Sequence, residues 1–219
     1  GMGSDNLLEA TIVLPSGKII IVNPCQNAEV FFAIRGGGGG TFGVITAVVL
    51  KTHPSPQSSL HLFSLTSLSN TTDTQFWDAT GYLHAQMQRL KEGGMQGYYY
   101  VVGPPAYPSL TLMWAFMLFD RPNGTVERLM EPVEKYLVDR ADVFSHTSNA
   151  TQGPSYFSVA QHIHNEAVAK GGSTYGSRLV SPSSLSSPAL NAETLQSIGP
   201  SGSASTPNVG SCTLYRAAS

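Results

Sequence analysis

The sequence is short of charge, of basic patches and of long apolar runs, and each shortage excludes a class of partner. Charged residues make up 12% of the 219 residues, and the formal net charge is -2. The Lys and Arg residues are scattered along the chain, so no basic field is present to hold a nucleic acid. No apolar run reaches the roughly 18 residues that a membrane-spanning helix needs. We therefore expect neither a nucleic acid nor a membrane as a partner.

Cysteine is also scarce. Cys25 and Cys212 are the two cysteines, which allow at most one intrachain disulfide. Neither belongs to a Cys-x-x-Cys pair or to a Cys/His cluster of the kind that binds zinc. His162 and His164 would share one side of a strand, but no carboxylate pattern accompanies them, and two ordinary surface histidines are the simpler interpretation. We expect no metal site.

Small polar residues and proline take the place of charge, a composition common among secreted proteins. Three N-glycosylation sequons begin at Asn70, Asn123 and Asn149. The N-terminus lacks the basic-then-apolar pattern of a signal peptide. We expect a protein of the secretory pathway, glycosylated at these asparagines, from which the leader has been removed. With 41% hydrophobic residues the chain can bury a core.

The order of hydrophobic patterns predicts an α+β fold. Before Pro56, the patterns indicate a β-hairpin, a helix capped by Asn27 and a β-branched strand, over 6–22, 27–35 and 43–51. Beyond it they indicate strands over 60–65, 97–102 and 110–119 and helices over 74–91 and 124–139. This order predicts helices on one face of an antiparallel sheet. After about Ser181 the Ser/Pro/Gly-rich sequence allows one short helix, over 189–198.

Five consecutive glycines, 36–40, lie between the first helix and the strand that follows. Gly38, Gly40 and Gly43 match the Gly-x-Gly-x-x-Gly pattern of dinucleotide-binding folds, but that pattern follows a strand and opens a helix, and the order here is reversed. No Lys-Ser/Thr follows, as a phosphate-binding Walker loop would need. Either the loop lets a flat or anionic ligand approach the bare backbone, or it is a flexible connector. The strongly patterned flanks favour the close-approach loop.

Three consecutive tyrosines are the other feature whose side chains can take part in binding or catalysis. On a strand, Tyr98 and Tyr100 would point to one face and Tyr99 to the other. Aromatic residues on a sheet are more often core than ligand platform, yet phenol groups that line a pocket are also common. We take Tyr98, Tyr100 and His84 as candidate catalytic residues, able to hydrogen-bond a substrate or exchange a proton with it. No Ser/His/Asp order and no nucleophile-elbow pattern is recognisable.

Two long segments carry a family likeness. "GMGSDNLLEATIVLPSGKIIIVN" and "NAEVFFAIRGGGGGTFGVITAVVLKTHPSP" closely resemble the second half of the PCMH-type flavin-binding domain of berberine-bridge-enzyme-like FAD-linked oxidases, in the vanillyl-alcohol oxidase superfamily. The segment up to about Leu185, with "FWDATGYLHAQMQRL", "GYYYV" and "YGSRLVSP", resembles more loosely the first half of that family's substrate domain. The resemblance implies three regions: 1–56 from the FAD-binding domain, 57–185 from the substrate domain, and a loop-rich tail over 186–219.

The resemblance also implies a chemistry. In that family FAD removes a hydride from an alcohol, sugar or alkaloid-like small molecule and passes the electrons to oxygen. By analogy, FAD would be the cofactor here, with the Asp5-Asn6 region near it. The residues packed against it would be Gly39, Gly40, Thr41, Phe42, Gly43, Val44 and Ile45.

The chain lacks counterparts of the family's N-terminal flavin-binding half, which carries the covalent FAD attachments, and of its C-terminal part. We therefore expect either a middle third of a longer oxidase or a naturally short product. The first hypothesis is an FAD-linked oxidase completed by other segments. The second is a flavin-free enzyme that promotes a cyclisation or isomerisation in an apolar pocket. The third is a non-catalytic binding remnant.

Half of a flavin domain would leave sheet edges and an apolar face uncovered. The sequence therefore predicts a homo-oligomer, or a companion chain that covers this surface.

Overall fold

Helices and antiparallel sheets make up both of the compact units into which the chain divides, Gly1–Pro54 and Ser55–Ser219. The structure is a computed structural model that describes residues 2–163 and 179–202, together with the backbone of 210–214. The mixed architecture confirms the predicted α+β class.

The first unit is a three-stranded antiparallel sheet in the order β2-β1-β3, with one helix packed on it. A short 3-10 helix, Gly3–Asn6, precedes it. Its elements are β1 (Leu7–Val13), β2 (Ile19–Val22), α1 (Ala28–Gly37) and β3 (Val44–Leu50). The helix packs on one sheet face because the buried apolar residues of both elements lie there, namely Ala10, Ile12, Val22, Phe31 and Ile34.

Helix α1 begins differently from the prediction. Asn27 precedes the helix with a positive φ of 50°, and its side chain makes no capping hydrogen bond. Its Nδ2 instead donates to the carbonyl of Ile21 at 2.7 Å, which ties the start of the helix to β2. The helix also runs past Arg35 into Gly36 and Gly37 and stops at Gly38, where φ is 95°. Two of the five glycines are therefore helical.

The other face of the first sheet carries exposed apolar side chains at one end. Val13 pairs with Ile19 on one side and with Val44 on the other, so the three side chains share this face. Ile19 and Val44 are each 66% exposed. An apolar sheet face of this kind favours association with another surface.

We expect the purified chain to sediment as a dimer or larger species at micromolar concentration, because association would bury this face. The double variant Ile19→Lys/Val44→Lys should shift the distribution toward the monomer, since two lysines would have to be desolvated on association. Sedimentation velocity measures both. Phe157→Lys, at a residue 73% exposed in the second unit, is the control. A monodisperse wild-type monomer would contradict the prediction.

The second unit is a five-stranded antiparallel sheet in the order β7-β4-β6-β5-β8. Its strands are β4 (Ser58–Ser67), β5 (Gln96–Val102), β6 (Thr111–Phe119), β7 (Phe144–Gly153) and β8 (Gly210–Leu214). Its helices are α2 (Asp73–Glu92), α3 (Thr125–Val138), α4 (Tyr156–Ala160), α5 (Pro182–Leu185) and α6 (Pro188–Ile198).

Helices α2 and α3 bury one face of this sheet. The main core joins their apolar side chains to an aromatic row that runs across the strands. Phe63 stacks on Trp114 with ring centroids 4.0 Å apart, and Trp114 stacks on Phe116 at 4.9 Å. Helix α6 packs against α2 at Gly81, where a Cβ atom would lie 2.3 Å from the carbonyl oxygen of Pro188. The glycine is needed for this close crossing, although it weakens α2 itself.

Three local features differ from the sequence-based prediction. Asn123, a residue type that favours the cap position before a helix, does not cap α3, because the residue that precedes the helix is Gly124, with φ of 81°. Strand β7 was not predicted at all. The helix predicted over 189–198 begins one residue earlier, at Pro188. Among the residues described, no helix is both long enough and apolar enough to cross a bilayer.

Candidate functional site

The glycine-rich turn between α1 and β3 contains the predicted FAD-contacting residues. The Thr41 N–H donates to the Gly38 carbonyl at 3.3 Å, and the Thr41 hydroxyl donates to the Gly37 carbonyl at 2.8 Å. These two bonds close a tight turn with Gly39 and Gly40 at its tip. Because Gly40 has no atom within 4 Å of where a Cβ would stand, the tip is open on that side.

Gly43 has a different role within the same loop. Its φ is 156°, and a Cβ there would lie 2.5 Å from the carbonyl oxygen of Val13. The close approach that requires this glycine is therefore to strand β1 of the chain itself. Sequence reasoning treated the glycines as one group, whereas the structure separates a structural glycine from an exposed tip. Val44 and Ile45 continue from Gly43 into β3.

The exposed tip fits a cofactor that needs bare backbone. Within the part of the chain that the structure describes, the N–H groups of Gly39 and Gly40 make no hydrogen bond. Adjacent unused N–H groups without side chains can bind an anionic group or lie against a flat ring. Phe42, 40% exposed beside them, adds an aromatic surface. These features suit FAD, which carries both a pyrophosphate and a flat ring system.

The second unit presents Tyr98 and Tyr100 on the sheet face that points away from α2 and α3. We call this surface the open face and define it by six residues on four strands: Ser64, Tyr98, Tyr100, Met113, Thr147 and Asn149. Tyr100 lies opposite Met113, and Met113 lies opposite Ser64. The hydroxyls of Ser64 and Thr147 are 2.8 Å apart and share a hydrogen bond. Tyr98 is 50% exposed.

Helix α4 covers the neighbouring part of the same sheet face. Val159 is fully buried there against Leu60 and Met117, in a small core separate from the one beneath α2 and α3. This helix therefore forms a border at one end of the open face.

The third catalytic candidate, His84, lies on the opposite side of the sheet. It is buried in α2, where its Nδ1–H donates to the carbonyl of Thr80 at 2.7 Å. Its Nε2 accepts a hydrogen bond from the hydroxyl of Tyr99, which faces the helices. Burial lowers the pKa of His84, against a smaller opposing effect of the Thr80 carbonyl. The structure thus brings Tyr98 and Tyr100 together and places His84 in the core behind them.

A second buried histidine escaped the sequence reasoning. The Trp114 indole N–H donates to Nδ1 of His61 at 3.0 Å, so Nε2 must carry the ring proton in the neutral form. That Nε2–H donates to the Ser148 hydroxyl at 3.0 Å. A histidine that donates to a serine cannot act as its base, so this pair is not a nucleophile and base. The alternation of His61 with Phe63 and Leu65 was the available signal that His61 is buried.

The remaining predicted sites lie on the surface. Asn70, Asn123 and Asn149 are all exposed, and Nδ2 of Asn70 donates to the carbonyl of Asp142 at 3.1 Å. Asn149 lies on the open face, opposite Leu62 of β4, so a glycan there would stand at the β7 side of that face. His164 is outside the described residues. In the described ranges, no three His, Cys, Asp or Glu side chains lie close enough together to hold a metal ion.

Comparisons with known proteins, by sequence and by structure, relate the chain to flavoproteins. No family model matches the chain. It is 31% identical over 84% of its length to the FAD-linked oxidoreductase apf9 of Gibberella fujikuroi, and 30% identical over 91% of its length to the FAD-linked oxidoreductase penH of Penicillium thymicola. The crystal structure of the VAO-type flavoprotein MtVAO713 from Myceliophthora thermophila superposes with a TM-score of 0.68 and 26% identity, over 95% of this chain and 38% of that one.

The chain belongs to the FAD-linked oxidoreductases of the VAO type. The resemblance found in its sequence is thereby confirmed. The chain spans about a third, 33%, of the length of each of these two curated relatives. Because both relatives are FAD-linked, the comparisons favour the flavin hypothesis over the flavin-free alternative.

Proposed function

We propose that this chain forms part of an FAD-linked oxidase that acts on a small alcohol, sugar or secondary metabolite. The observation that carries the proposal is the glycine turn, at which Gly39 and Gly40 present unused N–H groups and Gly40 has open space where a side chain would stand. The family relationship supports the same assignment. When bound, FAD supplies the hydride acceptor that no protein side chain provides.

Each part of the chain has a distinct task in this proposal. The Gly39–Gly40 tip holds the cofactor through backbone N–H groups, while Gly43 and the Thr41 hydrogen bonds fix the shape of the turn. On the open face, the hydroxyls of Tyr98 and Tyr100 orient the substrate, since a phenol both donates and accepts hydrogen bonds. His84 holds α2 against β5 through Tyr99 and acts on neither ligand.

The proposal is tested first by the visible absorption spectrum and the intact mass of the purified chain, before and after addition of FAD. We expect flavin absorption bands that shift or gain structure on binding. With FAD bound, hydrogen peroxide formation from oxygen is then measured for small alcohols, sugars and phenolic metabolites. A colourless protein whose addition leaves the spectrum and fluorescence of free FAD unchanged would contradict the proposal.

A charge placed at the tip of the turn tests whether FAD binds specifically at that tip. We expect Gly40→Asp to weaken FAD binding about tenfold or more, because its carboxylate would repel the pyrophosphate in a poorly solvated contact. The substitution meets no atom of the chain within 4 Å, so thermal stability should be unchanged. Gly36→Asp is the matched control, since Gly36 also has open space around it and lies in α1. Fluorescence titration with FAD should find wild-type affinity for Gly36→Asp; equal losses in both variants would contradict the assignment.

A further inference from the structure

Two adjoining cavities lie at the end of the second sheet where β4 begins and β7 ends. The larger, of about 540 Å³, is lined by Gln57, Asn123, Gln152, Gly153 and Pro154. The smaller, of about 180 Å³, also has Gln152 in its wall and reaches the first turn of α3. We call the two cavities together the sheet-end groove. The larger cavity falls within the roughly 300–1,000 Å³ typical of small-molecule sites.

Hydrogen bonds fix the walls of the sheet-end groove. The Gln57 N–H donates to Oδ1 of Asp120 at 3.1 Å, and the Asp120 N–H donates to the Gln57 carbonyl at 2.8 Å. This reciprocal pair ties the loop before α3 to the start of β4. On the other wall, the ladder between β4 and β7 sets Gln152 opposite Ser59. A ligand in the groove would therefore meet groups that are already in place, which lowers the entropic cost of binding.

The sheet-end groove offers amide and hydroxyl groups in preference to ionic ones. The residues that line the larger cavity carry no charge, and three of them have side-chain amides, which both donate and accept hydrogen bonds. The smaller cavity adds the hydroxyl-bearing residues Ser59, Thr125 and Thr151 and the carboxylate of Glu127. A neutral ligand with several hydroxyl and amide groups finds a partner for each of them here. An anion would lose hydration without gaining an ion pair, which is costly.

Asn123 links the sheet-end groove to a ligand of this class. It is the acceptor residue of the sequon Asn123-Gly124-Thr125. A sugar attached to Asn123 Nδ2 would begin in the wall of the larger cavity. Neither Asn70 nor Asn149 lines either of the two cavities. Of the three sequon asparagines, Asn123 is therefore the one that offers its glycan this amide-lined surface.

We propose that the sheet-end groove holds the N-glycan of Asn123, with the first N-acetylglucosamine in the larger cavity and hydrogen-bonded to Gln57 and Gln152. The acetamido and hydroxyl groups of this sugar match the amides around it. Attachment forms a bond from Nδ2 to C1 of the sugar, with loss of one Nδ2 proton and displacement of the lipid pyrophosphate that carries the oligosaccharide in the secretory pathway. The attached sugar joins the loop before α3 to β4 and β7 and so stabilises the second unit. None of these contacts depends on FAD or on the open face.

The chain secreted from a yeast host is the material for the test. Mass spectrometry of its glycopeptides should find Asn123 occupied. Endoglycosidase H then trims every N-glycan to a single N-acetylglucosamine. The trimmed wild type should melt about 2–4 °C above Asn123→Gln treated in the same way, the shift expected of roughly one net hydrogen bond in a unit of this size. The same two proteins made without glycans in bacteria should melt together, which separates the effect of the sugar from that of the substitution.

Two matched controls locate the sugar. Asn149→Gln removes a sequon from an exposed position outside the groove and should leave the melting temperature of the trimmed protein unchanged. Gln152→Ala should abolish the difference between trimmed and bacterial protein, whereas Gln196→Ala, at an exposed glutamine of α6, should preserve it. An unoccupied Asn123, or equal effects within either pair of variants, would overturn the proposal.

Calorimetric titration of chitobiose into the bacterial protein distinguishes an attached sugar from a free one. We expect binding too weak to saturate, since an attached sugar has a high effective concentration at the groove that a free sugar lacks. The thermal shift that depends on Gln152 supports the proposal whether or not chitobiose binds. Saturable binding of chitobiose without that shift would assign the groove to a free carbohydrate and overturn the attachment. Absence of both the shift and the binding would overturn the proposal as a whole.

Discussion

Gly97→Val is expected to lower the free energy of unfolding of the second unit by about 3 kcal/mol or more, because it combines backbone strain with overpacking. Gly97 lies in β5 opposite Phe116, with φ of 157°. A Cβ there would lie 2.1 Å from the carbonyl oxygen of Ala115 and 3.0 Å from the Phe116 ring. The first contact is with backbone of the neighbouring strand, so it can be relieved only by displacing β5 or β6.

Urea denaturation followed by tryptophan fluorescence measures this effect directly. The two tryptophans of the chain, Trp77 and Trp114, are both buried in the second unit, so their emission reports on that unit. Gln96→Val is the control, since it adds the same side chain one residue earlier, at a half-buried strand position where β-branched residues are well tolerated. Similar midpoints for Gly97→Val and wild type would show that the close approach is not a requirement of the fold.

The elements that the sequence predicted well are those with a strong hydrophobic pattern. The buried residues of helix α2 recur at helical spacing, and strands β4, β5 and β6 contain apolar or aromatic runs. Their predicted bounds differ from the structure by one or two residues at most ends. Strand β7 has no such pattern. Its sequence, FSHTSNATQG, is polar on both faces because it lies at the edge of the sheet, so only its ten paired positions along β4 reveal it.

The candidate site was predictable in its parts but not in its arrangement. Strand alternation correctly placed Tyr98 and Tyr100 together and Tyr99 on the other face. It could not show that His84 reaches Tyr99, because that contact depends on how α2 packs on the sheet. Likewise, composition cannot distinguish Gly43, which packs against Val13, from Gly40, which has open space around it. Only the pairing of β1 with β3 in the folded sheet brings Val13 beside the loop.

Buried neutral histidines should make the second unit lose stability in mild acid. Burial lowers the pKa of His61 from its usual 6.5 to about 4, although the Glu134 and Glu127 carboxylates raise it in part. Burial also lowers the pKa of His84. In each case the unfolded chain binds a proton at a pH where the folded chain does not, so the free energy of unfolding falls as the pH drops below 6.5. For His61 this fall continues toward pH 4 and levels off below. For His61 the loss amounts to about 3 kcal/mol.

His61→Gln is expected to remove most of this slope. The variant should be less stable than wild type at pH 7, because the Trp114 N–H and the Ser148 hydroxyl lose a partner of the right shape. It should nevertheless lose about 3 kcal/mol less than wild type between pH 7 and pH 4, because a glutamine does not titrate. Urea unfolding at a series of pH values measures both slopes, and His53→Gln, at an exposed histidine of the first unit, is the control. Parallel slopes for wild type and His61→Gln would mean that His61 is protonated in the folded state, and the hydrogen bond from Trp114 would then have to be absent.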